Sequence, residues 1–74
     1  MALVLHLLKG PPSPVAGATI ARELENGDRV LVALVEGAPA PALPEGVTTH
    51  RVPEELSYSS LLELIFEADQ VIAW

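Results

Sequence analysis

The sequence predicts an α/β domain built on a small, mainly parallel four-stranded sheet. Three observations favour this class: two apolar runs without polar alternation, two amphipathic helical segments, and an order of signals in which strands and helices alternate. The apolar runs are Ala2 to Leu8 and Arg29 to Val35. Continuous apolar strands are typical of the interior of a parallel sheet, where both faces are covered.

Arg29 to Val35 is predicted as an inner strand of this sheet. The run is too short for a free-standing helix, and its valines lose χ1 freedom in a helix but fit a pleated surface. Ala2 to Leu8 has the same character and is predicted as the first strand beside it. Lys9-Gly10-Pro11-Pro12 ends that strand, because proline cannot donate a hydrogen bond to a neighbouring strand.

The first helix is predicted between Ser13 and Gly27. Ser13 followed by Pro14 is a typical start, a hydroxyl cap with a proline at the first helical position, and Gly27 is a typical end. At 100° per residue, about 140° of the circumference of this helix is small and apolar, and it is formed by Ala16, Gly17, Ile20, Ala21 and Leu24. The opposite side, expected to face solvent, contains Thr19, Arg22, Glu23 and Glu25. This helix should therefore cover one face of the sheet.

The segment from Glu36 to Gly46 is rich in proline, alanine and glycine, and it predicts a surface loop in which a short turn stays possible. Val47 to Val52 follows with strand propensity, but it has polar residues on both alternating faces. This pattern predicts a strand at an edge of the sheet. Pro53 closes the strand.

The second helix opens at Ser57 or at Ser60, and Ser60 with Glu63 has the spacing of a capping box. About 200° of its arc is apolar, formed by Tyr58, Leu61, Leu62, Leu64, Ile65, Phe66 and Ala68. This arc is wider than a helix needs to pack on one sheet, so part of it should contact something else. Gln70 to Trp74 completes a single domain, residues 1–74, as a short last strand.

Composition excludes several functions and favours association. The chain has no cysteine, which excludes disulfides, thiolate metal sites and thiol chemistry on this chain. Its net charge of −6 argues against direct binding to nucleic acid or to an anionic membrane. No apolar run approaches ~18 residues, and Met1 to Leu8 lacks the basic region and cleavage site of a signal peptide, so a cytoplasmic location is expected. An apolar content of 50% in 74 residues predicts that the chain oligomerises.

The C-terminal segment from Ser57 to Trp74 resembles the end of the DsrH/TusB family, which typically closes with a Tyr-led helix and a short strand ending in Trp. Leu5-His6, Glu25 to Leu31 and Val47 to Leu56 extend the resemblance over most of the chain. Relative to that family, the loop Glu36 to Gly46 replaces a helix, and a segment with an additional strand is missing after Leu56. The chain thus resembles a minimal member of the family.

The resemblance implies a DsrEFH-like fold, which is a Rossmann-like half. The family's parallel order 4-3-2-1-5, without its strand 4, implies the order 3-2-1-4 here. Right-handed crossovers then place one helix on each face of the sheet. The resemblance further implies a supporting subunit of a sulfur-relay complex of the TusBCD or DsrEFH type. In such a complex, Cys-containing DsrE/TusD-like or DsrF/TusC-like partners carry persulfide sulfur, in the first case toward 2-thiolation of a tRNA wobble uridine.

Individual polar residues indicate little chemistry. His6 could act as a base, but a lone histidine in a strand is more often packed or hydrogen-bonded. His50 could pair with His6 at a metal, but the sequence supplies no further ligands at a suitable spacing. The loop from Lys9 to Ser13 leads into a helix N-terminus that could hold an anion, although two prolines remove amide donors and no glycine-rich phosphate motif is present. We therefore predict no catalytic residue, no cofactor and no metal.

The order 3-2-1-4 predicts a crevice between the first and last strands at their C-terminal ends. Lys9, Ser13 and Trp74 should lie there, with the terminal carboxylate near the Lys9 ammonium. The residues expected at a partner interface or at the crevice rim are Lys9, Ser13, Tyr58, Leu64, Phe66 and Trp74. The leading hypothesis is a non-catalytic interaction subunit. The alternatives are a stand-alone homo-oligomer and a small ligand binder or enzyme at the crevice.

Overall fold

Alternating strands and helices follow the predicted order throughout. The structure, a computed structural model, describes residues 2–10, 14–38 and 43–74. Its elements are β1 (Leu3–Lys9), α1 (Pro14–Glu25), β2 (Arg29–Val35), β3 (Thr48–Val52), α2 (Tyr58–Glu67) and β4 (Gln70–Ala73). The predicted strand β2 has the observed bounds, β1 is shifted by one residue at both ends, and β3 and β4 are each one residue shorter than predicted. The predicted cap Ser13 lies outside the described residues.

The four strands form one sheet in the order β3-β2-β1-β4, and each neighbouring pair is parallel. The predicted fold class and strand order are therefore confirmed. His6 in the middle of β1 is matched with Val32 on β2 and with Ile72 on β4. The polar strand β3 lies at one edge, as its pattern predicted, and the short strand β4 lies at the other.

Each face of the sheet is covered by one helix, so the predicted placement of the helices is also confirmed. One core, the α1-side cluster, consists of Leu8, Ala16, Ile20, Val30, Val32, Leu34 and Ala38. The other core, the α2-side cluster, consists of Leu5, Leu31, Ala33, Val52 and Leu61. Because alternate residues of a strand point to opposite faces, β1 and β2 contribute to both clusters. This explains their unbroken apolar runs.

Local hydrogen bonds define the ends of both helices. Gly27 adopts φ 84° and ends α1 in a Schellman motif: its N–H donates to Leu24 O, and Asp28 N–H donates to Glu23 O. Ser57 caps α2 by accepting a hydrogen bond from Ser60 N–H at 3.1 Å. Of the two predicted starts, Ser57 is therefore the observed cap, and the capping box at Ser60 and Glu63 is not formed.

Two aspartates fix the start of β1. Asp28 Oδ1 accepts from Ala2 N–H at 3.4 Å, and Asp69 Oδ2 accepts from Leu3 N–H at 2.7 Å. Asp28 precedes β2 and Asp69 precedes β4, so the two carboxylates bracket the N-terminal end of the strand between them. These bonds align the beginnings of three neighbouring strands.

The loop from Glu36 to Gly46 differs in part from the prediction of a surface loop. Ala38 is buried in the α1-side cluster, and Leu43 packs against it. The loop thus supplies core residues on the face that one helix leaves partly bare. Residues 39–42 lie outside the described part of the chain. Among the described residues, no helix has the length and apolar character needed to cross a membrane.

Candidate functional site

His6 is the one fully buried polar side chain among the described residues, with 0% of its surface exposed. Its neighbours in register on β2 and β4 are Val32 and Ile72, so the sheet offers it no polar partner. A buried imidazole without hydrogen bonds would be costly, which means that its partners must come from elsewhere.

Both ring nitrogens of His6 are hydrogen-bonded. Nε2 lies 2.5 Å from Oε1 of Glu23 on α1, and Nδ1 lies 2.9 Å from Nε1 of Trp74, which follows β4. An indole nitrogen can only donate, so Nδ1 must be the acceptor and the imidazole proton must be on Nε2. Nε2–H then donates to the Glu23 carboxylate. The three residues, named here the His6 cluster, therefore fix the imidazole in a single tautomer.

The rings of His6 and Trp74 lie edge to edge. Their planes differ by 12° and their centroids are 6.1 Å apart, while the two bonded nitrogens are 2.9 Å apart. This combination places the hydrogen bond nearly in the plane of both rings rather than stacking one face on the other. A second proton on His6 would occupy Nδ1 and remove the only acceptor for the Trp74 N–H.

The His6 cluster resembles a catalytic triad only in its carboxylate and imidazole. The position that a nucleophile would occupy is taken by an indole N–H, which neither attacks nor carries a transferable proton at ordinary pH. Every polar atom of the buried imidazole is already used. The arrangement can hold α1, β1 and β4 together, but the imidazole has no nitrogen left for a substrate.

Glu23 is a correction to the sequence-based prediction, which placed it on the solvent side of α1. Its side chain is only 13% exposed because it turns toward His6. At 100° per residue Glu23 lies about 20° from Ala16 around the helix, just outside the predicted apolar arc. This marginal position could have predicted the burial of Glu23, because a carboxylate beside the apolar arc can face a strand that contains a buried histidine.

Two of the predicted crevice residues, Lys9 and Trp74, lie at the C-terminal ends of neighbouring strands, but their side chains diverge. Lys9 is on the α2 side of β1, where its Nζ lies 3.7 Å from Glu36 Oε2, and both side chains are mostly exposed. Trp74 instead packs on the α1 side against His6. The ion pair of Lys9 is thus with Glu36 rather than with the main-chain carboxylate of Trp74 expected from the sequence, and the two side chains lie on opposite faces of the sheet. Ser13 lies outside the described residues.

His6 and His50 cannot share a metal. His50 has the same parity in β3 as Val52 of the α2-side cluster, so it lies on the face of the sheet opposite His6. It lines a groove of about 370 Å³ between α2 and the β2–β3 edge, together with Arg29, Glu63 and Glu67. A second hollow, of about 410 Å³, runs along α1 past Pro14, Ala18 and Arg22. In the described part of the chain, no three histidine or acidic side chains are grouped as a metal site would require.

The second helix carries three large apolar side chains that are exposed. Tyr58, Leu62 and Phe66 are 55%, 54% and 81% exposed, and they form a single stripe along α2 because they are four residues apart. We call these three residues the α2 row. Leu64, the other predicted margin residue, is half-buried and packs against the α2-side cluster. The over-wide apolar arc is thus divided into a core side and a bare side.

Fold and site together define a class: a minimal parallel α/β domain with a closed polar cluster on one face and an uncovered apolar helix row on the other. Comparison with protein-family models, with curated proteins and with solved structures finds no match to this chain.

The tautomer of His6 can be tested directly. We expect the ¹⁵N NMR spectrum to show a protonated Nε2 and an unprotonated Nδ1 for His6 near neutral pH, because Trp74 requires Nδ1 as an acceptor. His50, half-buried in the groove, provides the internal comparison and should show averaging between tautomers, because no hydrogen bond to another described residue fixes its ring. A His6 spectrum with the proton on Nδ1, or with both nitrogens averaged, would contradict the assigned hydrogen bonds.

Proposed function

We propose that this protein is a non-catalytic interaction subunit, whose α2 row is covered by another chain in the working assembly. The observation that carries the proposal is the row itself: one tyrosine, one leucine and one phenylalanine, all more than half exposed, on a helix whose other side is packed in the core. Small monomeric domains rarely expose contiguous large apolar side chains without a partner.

The His6 cluster supports the non-catalytic part of the proposal. Its histidine is saturated, no serine or threonine of the described residues is hydrogen-bonded to a base, and Lys9 pairs with Glu36 in solvent. Ser57 and Ser60 bond to each other and cap α2. The side chains most suited to chemistry therefore have structural partners, whereas the α2 row has none in the sheet.

The assembly that we propose is a sulfur relay, in which Cys-containing DsrE/TusD-like or DsrF/TusC-like partners carry the persulfide. Two features support this choice. The C-terminal segment from Ser57 to Trp74 resembles the DsrH/TusB family, and the order β3-β2-β1-β4 is the order expected of that family without its strand 4. Because this chain has no cysteine, its role would be to support the sulfur-carrying subunits, with tRNA wobble-uridine 2-thiolation as the proposed end use.

Affinity purification of the tagged full chain under native conditions tests the proposal. We expect recovery of a small α/β protein with a cysteine that accepts persulfide sulfur, detected as a mass increase of that partner after incubation with a sulfur donor. The variant Phe66→Ser should reduce recovery, because it removes the most exposed member of the α2 row. Val15→Ser, which changes an exposed apolar residue on α1 instead, is the matched control and should not. Consistent absence of any Cys-containing partner would overturn the sulfur-relay assignment.

A further inference from the structure

The two edges of the sheet differ in how their backbone groups are used. At the β3 edge, Arg51 N–H donates to Glu55 Oε1 at 2.9 Å, and Arg51 C=O accepts from the N–H groups of Glu55 and Leu56. The turn after β3 thus folds back and saturates the outward-facing groups of Arg51. A strand from another molecule could not pair there without breaking these bonds.

The β4 edge has no such block among the described residues. Trp74 N–H donates inward to Leu7 C=O. Since backbone groups alternate in direction along a strand, Val71 and Ala73 point their N–H and C=O groups outward. The strand Gln70–Ala73 is short, with four residues, but it contains neither a charged residue nor a proline, two features that commonly protect an edge. Its outer side is therefore ready to accept another strand.

The α2 row lies on the same side of the molecule as this open edge. The opposite flank of α2 presents Glu63 and Glu67 to the groove at the start of β2 and β3. Because β4 and β3 are at opposite edges of the sheet, the row must be on the β4 side of α2. Val71, which shares the α2-side face and is 38% exposed, extends the apolar surface from the helix to the strand.

We propose that a second copy of this chain occupies the surface formed by β4 and the α2 row. A two-fold axis perpendicular to the sheet would place β4 antiparallel to β4 of the other copy and would join the two sheets into one of eight strands. In an antiparallel pair, directly opposed residues point to the same face of the sheet. In a symmetric pair of β4 strands, this condition is met when one residue lies directly opposite the same residue of the other copy. Val71, whose backbone groups point outward, is that residue, and the two Val71 residues exchange both N–H···O=C bonds.

The same axis brings the two α2 rows together. Because it is perpendicular to the sheet, it does not exchange the two faces, so both α2 helices lie on the same face of the joined sheet. The surface is thus self-complementary, as an isologous interface requires. The row and β4 are uncharged, and Glu63 and Glu67 lie on the far flank of α2. The Asp69 carboxylate, which precedes β4, is hydrogen-bonded to Leu3 N–H of its own chain. The apolar surfaces themselves therefore bring no charged side chains together.

The available area also suits a second copy. If a buried aromatic contributes about 150–250 Å², the exposed parts of the row and Val71 provide roughly 400 Å² per chain, about half of the ~800 Å² per partner in a standard interface. The backbone and remaining side chains of β4 add to this area. Pairing at an open strand edge beside an apolar helix row is therefore expected to give an interface at the small, modest-affinity end of the range.

The inference rests on the proposed function only in taking the α2 row as an assembly surface. Light scattering coupled to size exclusion, over concentrations up to about 100 µM, should show a species of twice 7.8 kDa. Val71→Pro removes the outward N–H without touching an inward one, and should weaken the dimer by about 100-fold or more. Phe66→Ser should weaken it by at least about tenfold.

Val15→Ser again provides the control, and its dimer should match that of the unchanged chain. Hydrogen exchange at the Val71 amide supplies an independent measurement, because its protection should increase with protein concentration. A chain that stays at 7.8 kDa throughout, or a dimer unaffected by both variants, would overturn the inference.

The outcomes separate this inference from the sulfur-relay proposal. A dimer sensitive to both variants, with no Cys-containing partner recovered, would keep the second copy and overturn the relay. A single copy bound to one Cys-containing partner through the α2 row would support the relay and overturn the proposed dimer. In that case the row has a different occupant.

Discussion

Replacing His6 with leucine is expected to lower the free energy of unfolding by about 3–5 kcal/mol, even though leucine is apolar and of similar size. The cost comes from two polar groups that the variant leaves without a hydrogen-bond partner. The Glu23 carboxylate, 13% exposed, and the indole N–H of Trp74 both lose their partner inside the fold. A domain of this length has a total stability of roughly 4–11 kcal/mol, so the variant should lose a large fraction of it.

Two further variants separate loss of packing from loss of hydrogen bonds. Glu23→Gln keeps an oxygen that can accept from Nε2–H and should cost about 1 kcal/mol, whereas Glu23→Leu leaves Nε2–H unsatisfied and should cost more. Urea denaturation followed by far-UV circular dichroism measures these differences without depending on the fluorescence of Trp74, the single tryptophan. If His6→Leu were as stable as the unchanged chain, the cluster would not be what holds α1 and β4 to β1.

Leu61→Ala and Leu62→Ala should have very different effects on stability, although the two leucines are adjacent in α2. Leu61 is 7% exposed within the α2-side cluster, and its truncation should destabilise the monomer by about 2–5 kcal/mol. Leu62 is 54% exposed in the α2 row, and its truncation should change monomer stability by at most about 0.5 kcal/mol.

Association should respond in the opposite way. Leu62→Ala should weaken assembly while the fold remains intact, because the lost methyl groups contact another chain rather than the core. Chemical denaturation of the monomer and sedimentation of the assembly are the two measurements needed. Equal destabilisation of the monomer by both variants would mean that the α2 row is part of the core, and the interaction surface would not exist.

The two faces of this sheet have separate roles. On the α1 side, the His6 cluster connects a helix, a central strand and the residue after the last strand through polar bonds. On the α2 side, the helix is anchored by Leu61, Leu64 and Ile65 and leaves the α2 row uncovered. The closed face stabilises β4, which has few other neighbours, and thereby maintains the edge that we propose for association.

Much of the fold follows from local features of the sequence. The run Arg29–Val35 favours a strand covered on both faces, Pro14 and Gly27 limit the first helix, and the polar pattern of Val47 to Val52 indicates an edge. Each of these elements depends on proline geometry, glycine conformation or side-chain periodicity within a few neighbouring residues. The local sequence was therefore enough to predict them. The excess apolar arc of α2 was likewise visible from its spacing alone.

Only the tertiary structure decided which polar groups meet. Glu23 is 17 residues from His6, and Trp74 is 68 residues away, so no local pattern connects them. Their contact depends on the register of β4 against β1 and on the rotation of α1 about its axis, where a difference of about 20° separates a solvent-facing from a buried carboxylate. The same register placed Lys9 and Trp74 on opposite faces. Periodicity determines which side of an element is apolar. The partners of a buried polar atom, in contrast, are determined by how the elements pack against one another in the tertiary structure.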